Sequence, residues 1–473
     1  MTIHSRTAQP LCIGFVPVTR PAFQGDTAGA VRASIRGLET LAEALSFELA
    51  TFAPVADAEE ARRAAGELAE RGLDYLLVQL TTFATGDVVA PLLRAVPRVG
   101  VWALPEKAGG RGAEGPLPLN SLCGATMALS TLRHPEVDKA EPVKWFYGEA
   151  GDARFARRLA VTVDALRGVA ALRGASVLAI GGTAPGFYGL EEAPVLAGAR
   201  VVRRELAELF ERVAAVPDAE AEARARSWAE RERADVAFEQ LVRGARIDAA
   251  LEAMARDVGA DALAVRCWPE LPEACGSMAC AAMGDMSGRE VPAACEGDVM
   301  GALSMLALQG VSRESAILMD LSDVDADDDS LLVWHCGNAP LAWAAAGADG
   351  RPGTRLTAHF NRGIGVIRDM RLRAGPVSGF RLLGGGRGAV IASGEVTRPD
   401  KAGFDGVRGW LSDLHWGEER VGGAGLVANL LDRGLPHHLA FGRGAHTAAL
   451  FELCALLGAT VLPALPARPY LQP

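Results

Sequence analysis

Leu11-Cys12-Ile13-Gly14-Phe15-Val16-Pro17-Val18 is an apolar run short enough to be one buried strand. The segments next to it in the chain decide the fold. A stretch of helical periodicity from about Ala28 to Leu49 leads to a second apolar strand, Tyr75 to Leu80, then to a helical stretch around Asp87 to Ala95 and a third strand, Val99 to Leu104. Strand and helix alternating at this spacing imply a doubly wound parallel sheet with helices on both faces.

The same texture continues outward. A Gly-rich turn region runs from about Ala108 to Pro118, and WFYGEAGD near residue 145 is a crossover to a second unit. That unit opens with a helix over Ala153 to Leu172 and a strand, Ser176 to Ile180, ending in Gly181-Gly182-Thr183-Ala184-Pro185-Gly186. The turn has neither the spaced GxGxxG pattern nor a Walker lysine, so it reads as a plain strand-to-helix turn and predicts no nucleotide site. A long helical region from about Glu220 to Ala255 precedes the apolar strand Ala260 to Cys267, which ends at Trp268, Pro269 and Glu270. Beyond about residue 315 the runs shorten: Ser330 to Trp334, Leu341 to Ala345, Phe380 to Leu383 and Ala389 to Ala392, with a closing helix from about Ala448 to Leu457. Short strands between turn residues suggest a β-rich barrel or sandwich. The expected architecture is α/β: two Rossmann-like domains, 1–147 and 148–315, followed by a β-rich, barrel-like C-terminal domain, 316–473.

A chain of 473 residues has room for about three such domains. The net charge of -10 argues against nucleic acid as a partner, because phosphate binding needs clustered Lys and Arg with little opposing charge. Here the arginines alternate with acids, as in ELAERG and WAERERAD, the pattern of solvated helix faces. The eight cysteines (12, 123, 267, 275, 280, 295, 336 and 454) form no CxxC pair and read as reduced thiols of a cytoplasmic protein. The N-terminus MTIHSRTAQP is polar and no stretch nears the roughly 20 apolar residues of a membrane span, so neither signal peptide nor anchor is expected.

Three segments gather the unusual polar residues: ACEGDVMGAL with Glu296 and Asp298, AILMDLSD with Asp320 and Asp323, and GLPHHLAFGRGAH with His437, His438 and His446. Asp320 follows the apolar residues Ala316 to Met319, so its carboxylate is expected at a strand end, where a buried charge needs a partner or a metal. Carboxylates with imidazole form a mixed O/N set suited to Mn²⁺, with Mg²⁺, Co²⁺, Fe²⁺ or Zn²⁺ as alternatives. Such a set can run ketol isomerisation: a divalent ion on the carbonyl and adjacent hydroxyl acidifies the C2 proton, and two carboxylates move protons on and off C1 and C2. Helix capping by the acids and a surface role for the His pair are the alternatives these residues leave open.

Together the segments resemble the L-fucose isomerase and L-arabinose isomerase superfamily, in which an A-x-E-x-D motif is followed about two dozen residues later by an acid in a strand-end motif. Glu296 stands in the first and Asp320 in the second, and 320 minus 296 is 24. The resemblance implies that Glu296 and Asp320 are metal ligands and the proton-transfer pair, with His438 in LPHHLAFGRG as third ligand, or His437 if the register shifts by one. His335 in VWHCGNAP falls where the arabinose branch has a further metal-associated His, which implies a fourth ligand or a substrate contact, and Asn338 lies in the same turn. The resemblance spans nearly the whole chain. It further implies a homo-oligomer, trimer or hexamer, in which N-terminal residues of a neighbouring subunit complete the sugar pocket, here Arg20 in PVTRP and Thr82 with Phe83 in QLTTFATGD.

Trp268 and Glu270 at a strand end are further candidate sugar contacts, with an ordinary loop acid as the alternative for Glu270, and Met278, Met283 and Met286 read as a flexible apolar lining. Only four tyrosines are present, which turns attention from the usual L-sugars to a modified sugar whose anionic group Arg362 or Arg443 would receive. The expected activity is therefore a metal-dependent aldose-ketose isomerase acting through a cis-enediolate on a free or modified monosaccharide. Two rivals stand beside it: the same fold using the enediolate for carbon-carbon cleavage or transfer, and a non-catalytic sugar-binding protein. A Schiff-base version of the first would need a buried lysine, and Lys107, Lys139, Lys144 and Lys401 all sit in polar surroundings.

Overall fold

The computed structural model describes residues 10–106, 117–134, 137, 139, 142–190, 197–347, 352–384 and 387–465. Lys107 and most of the Gly-rich stretch before Pro118 lie outside them. The chain forms two compact units, one ending at Leu166 and the other beginning at Arg167.

In the first unit the strands Phe47–Thr51, Leu11–Val18, Tyr75–Leu80, Val99–Ala103 and Val143–Tyr147 lie side by side in that order, all parallel. Helices Thr27–Leu45, Ala58–Glu70, Gly86–Ala95 and Ser121–Thr131 make the crossovers. Tyr75–Leu80 is buried throughout, as a central parallel strand covered on both faces must be. Asp26 caps the first helix by accepting from the Gly29 N–H. That helix stops earlier than its periodicity predicts, because Ser46 turns left-handed (φ 55°) and returns its N–H to the Ala42 and Glu43 carbonyls. Phe47–Thr51 is thereby freed to become the edge strand.

The second unit holds a four-stranded parallel sheet, in the order Ala293–Ala294, Ala262–Val265, Ser176–Ile180, Arg200–Arg204. The glycine turn after Ile180 continues as turns and bends as far as Leu190, not directly into a helix as expected, and the next described strand is Arg200–Arg204. The long helical region also breaks in two, Asp218–Arg231 and Phe238–Val258, with a short strand at Arg233–Ala234 between them. Glu232 supplies the reason. Its carboxylate accepts two bonds of 2.8 Å from the fully buried Arg368, whose guanidinium also reaches Asp285 at 2.7 Å. Such a pair must leave the helix surface to meet.

The C-terminal strands form the β-rich part. Gly388–Val396, Gly375–Leu382, His438–Arg443, Ile317–Asp325, Ser330–His335 and Val407–Trp416 pair antiparallel in that order, and the last pairs back onto the first. The pairings therefore close on themselves, around an apolar filling that includes Met319, Leu331, Val333, Val390, Leu411 and Leu439. Two expectations change here. Asp320 lies within a strand that runs on to Asp325, not at its end, and Leu341–Trp343 is a turn of 3-10 helix, not a strand. In that turn the Trp343 indole is buried and donates to the Ser315 carbonyl at 2.8 Å, which fixes the bend. Helix Val299–Ser312 is buried on every face from Val299 to Val311 and packs against both the parallel sheet and the strand ring, which its largely apolar sequence permits.

Removing one partner of a buried ion pair leaves the others uncompensated, so Arg368→Met is expected to lower unfolding free energy by about 3–5 kcal/mol in denaturant titration. The Arg368 and Arg231 guanidinium groups overcome burial and hold the Asp285 carboxyl at about 2, below its usual 3.8. Its stabilising contribution is complete above the usual value and is lost as pH falls toward 2, and the Arg368→Met protein should show less of this acid sensitivity.

Candidate metal centre

The short strand Ala293–Ala294 ends the parallel sheet and runs into the turn Cys295-Glu296-Gly297-Asp298. Glu296 and Gly297 are both left-handed (φ 59° and 73°). For a glutamate this costs on the order of 1–3 kcal/mol, a cost met where surroundings over-determine the backbone. Here they do: the Gly297 N–H donates to Val265 at 3.1 Å, and the Ala184 N–H donates to the Glu296 carbonyl at 3.0 Å. A Cβ on Gly297 would meet the Gly182 carbonyl oxygen at 2.1 Å, so only glycine fits. The Gly181-Gly182 turn is thus the bed on which Glu296 rests.

Asp298 caps helix Val299–Ser312, accepting from the Gly301 N–H at 2.7 Å. It is fully buried, receives the Arg381 guanidinium at 2.5 and 2.9 Å and meets His438 Nδ1 at 2.9 Å. Burial alone would raise this carboxyl, but Arg381 and His438 hold it well below the usual carboxylate range. A carboxylate cannot donate, so the Nδ1 proton of His438 belongs to this bond, and in a ring that holds a metal the Nε2 lone pair faces outward.

That lone pair meets two more carboxylates. His438 opens a strand directly paired with Ile317–Asp325, with Asp320 in register beside it. Glu296 Oε2 lies 3.5 Å and Asp320 Oδ1 3.6 Å from His438 Nε2. Asp320 Oδ1 is buried and has no hydrogen-bond partner. A desolvated carboxylate oxygen facing a second carboxylate and an imidazole lone pair is unfavourable without a cation, so this donor set fits a divalent ion. His437 adds a nitrogen 3.1 Å from Glu296 Oε2, on the half-exposed side, and Glu296 pushes its imidazole up. The ligand atoms of Glu296, His437 and His438 all lie within 4.8 Å of one another.

His335 also comes to this place, its ring 5.7 Å from that of His438. Its Nδ1 accepts the Cys336 N–H at 2.8 Å, which places a proton on Nε2, aimed at Cys295 Sγ 2.8 Å away. To act as the fourth ligand, it would have to give up that backbone bond. The geometry favours a donor to sulfur. Asn338 is buried, with Nδ2 3.9 Å from the same sulfur and Oδ1 without a partner.

The remaining expected contacts divide. Trp268 stands edge-on to Phe187 (5.9 Å), whose ring is 5.8 Å from His437, so an aromatic file leads to the centre. Glu270 is held by Arg266, which also donates to the Gly181 carbonyl, so its carboxylate is already committed. Arg443 sits at the opposite end of the strand from His438 and bonds Glu314 at 3.3 Å, which takes it away from the cluster. Arg362 is exposed. Met278, Met283 and Met286 are core residues. In the first unit, Arg20, Thr82 and Phe83 are neighbours: the Arg20 N–H donates to Thr82 Oγ1 at 2.8 Å and the Phe83 ring meets Phe23 at 6.3 Å. Three residues were given no role by the sequence: Asp298, Cys295 and Arg381. The final acid of A-x-E-x-D was the available signal for Asp298, and a lone arginine in the apolar strand Gly375–Leu382 was the signal for Arg381.

No family model matches the chain. It is 27% identical over 384 residues to the sulfoquinovose isomerase of Priestia aryabhattai, covering 78% of this chain and 81% of that protein. It is 29% identical over 320 residues to the sulfoquinovose isomerase of Alkalicoccus urumqiensis, covering 65% and 69%. A sulfoquinovose isomerase from Clostridium sp. (strain MSTE9) is 26% identical over 318 residues. The expected enzyme class, an intramolecular oxidoreductase of the aldose-ketose isomerase kind, is the class of these relatives and is borne out by them. No described helix is long and apolar enough to cross a membrane.

Asp298 bonds the Nδ1 side of His438 and would orient its Nε2 toward an ion. Asp298→Asn is therefore expected to weaken Mn²⁺ binding about 10–100-fold in calorimetric titration, and an unchanged affinity would contradict the assignment.

Proposed function

We propose that the chain converts an aldose bearing an anionic group to its ketose through a cis-enediolate, with sulfoquinovose, a sulfonated aldohexose, as substrate. The single observation that carries this is the convergence of Glu296 and Asp320 on His438 Nε2, at 3.5 and 3.6 Å, in a chain whose relatives are named sulfoquinovose isomerase. Glu296, Asp320 and His438 would hold Mn²⁺, with Mg²⁺ or Co²⁺ as alternatives, since carboxylates with one imidazole suit these ions. Bound there, the ion would polarise the sugar carbonyl and its neighbouring hydroxyl and offset the negative charge that develops on them.

The chain's own residues do the rest. Glu296 and Asp320 exchange the protons at C2 and C1, each held by a backbone that cannot relax: Glu296 by its docked left-handed turn and Asp320 by strands on both sides. Asp298 keeps the His438 lone pair aimed at the same point. Phe187 and Trp268 cover the approach and limit water. For the anionic group, Arg362 is favoured over Arg443. It follows Phe360 by two residues on one turn, and the Phe360 ring meets Trp334 edge-on at 5.4 Å. Trp334 in turn stands opposite Asp320 in the sheet register. The homo-oligomer completed by a neighbouring subunit belongs to the same proposal, as does membership of the fucose and arabinose isomerase superfamily. The Schiff-base rival gains no support: Lys144 donates to Thr162, and Lys401 pairs with Asp325 and Asp328.

Sulfoquinovose incubated with the enzyme in deuterated water should yield ketose carrying deuterium at C1 by NMR. Glu296→Gln and Asp320→Asn should each lower kcat by about 100-fold or more, and turnover within about threefold of the parent would overturn the reading. A charge-assisted contact is worth roughly 1.5–3 kcal/mol, so Arg362→Gln should raise KM for sulfoquinovose about tenfold or more while leaving KM for the unsubstituted aldose unchanged. Equal effects on both sugars would remove Arg362 from the site.

A further inference from the structure

The cluster has a second face that the isomerisation does not use. Cys295 is buried, its sulfur 3.7 Å from His438 Nε2. Its ligand atom, with those of His335 and His438, forms a second group within 4.8 Å. Because the Cys336 N–H occupies His335 Nδ1, the His335 Nε2–H points at the sulfur from 2.8 Å, and the Asn338 amide lies 3.9 Å from it. Donors of this kind around a sulfur orient and stabilise it as a metal-bound thiolate.

We propose that Cys295 is a ligand for thiophilic divalent ions of the zinc and cadmium class, sharing His438 Nε2 with the carboxylate side of the centre. Sulfur selects such ions, whereas carboxylates suit Mn²⁺. One nitrogen lone pair serves one ion, so an ion taken through Cys295 and His438 excludes the ion held by Glu296, Asp320 and His438. The thiol proton leaves to solvent as the sulfur–metal bond forms. The inference rests on the cluster being a metal centre, and it makes that centre choose between two classes of ion.

The test is a titration of the full-length, metal-stripped protein with Cd²⁺, followed by the ultraviolet thiolate-to-cadmium charge-transfer absorption. The expected result is a band that grows with the first equivalent in the parent and in Cys336→Ser, and is lost in Cys295→Ser. In a parallel experiment, Mn²⁺ released from the loaded protein is read by electron paramagnetic resonance. Even an outer-shell partner is worth roughly 10–100-fold in metal affinity, so displacement by Cd²⁺ should need about tenfold or more cadmium in Cys295→Ser. A first-equivalent band that survives in Cys295→Ser, with displacement unchanged, overturns the proposal. Mn²⁺ binding without any sulfur band in the parent sinks this inference alone, whereas failure to bind either ion sinks the metal centre with it.

Discussion

The Asp298 carboxylate is the interaction on which the rest of the centre depends. Fully buried and charged, it is tolerable only because three groups meet it at once: the N-terminus of helix Val299–Ser312, the Arg381 guanidinium and the His438 imidazole. The helix comes from the side of the parallel sheet, and the other two come from strands of the closed ring. One carboxylate therefore sets the position of the helix against the ring and the orientation of the histidine that faces Glu296 and Asp320. Helix packing and histidine orientation share a single group.

The strand register carries that precision onward. Asp320 is hydrogen-bonded into the ring between the strands that bear His438 and Trp334, directly opposite each. Residues paired in this way present their side chains to the same face. A one-residue slip would turn Asp320 into the apolar filling beside Met319, and so the burial of that filling fixes the site. Glu296 is held differently, by a left-handed turn docked on the glycine loop. One acid is placed by a sheet and the other by a strained turn, which gives them different surroundings while they approach the same nitrogen.

Much of this could be read from the residues. The continuous apolar runs Leu11–Val18 and Tyr75–Leu80 announce parallel strands, and the joint appearance of Glu296, Asp320 and His438 marks the cluster. The features that stayed hidden depend on distant partners. The helix break at Glu232 is set by Arg368, 136 residues away, and the role of Asp298 by Arg381 and His438, 83 and 140 residues further on. No local pattern encodes such separations. The extent of the Ile317–Asp325 strand was missed for a related reason: its polar second half looks like a loop until the pairing with Ser330–His335 satisfies its backbone. Arg443 stands near His438 in the sequence, yet six residues of extended strand separate the two ends by roughly 17 Å.

The central claim is that Glu296, Asp320 and His438 form one divalent-metal centre. Metal content by mass spectrometry on the purified protein, alongside the double variant Glu296→Gln and Asp320→Asn, tests it most directly. The account predicts close to one Mn²⁺ per chain in the parent and none in the variant. No bound divalent ion in either protein, even after Mn²⁺ is supplied, would contradict it and favour a sugar-binding protein without metal chemistry.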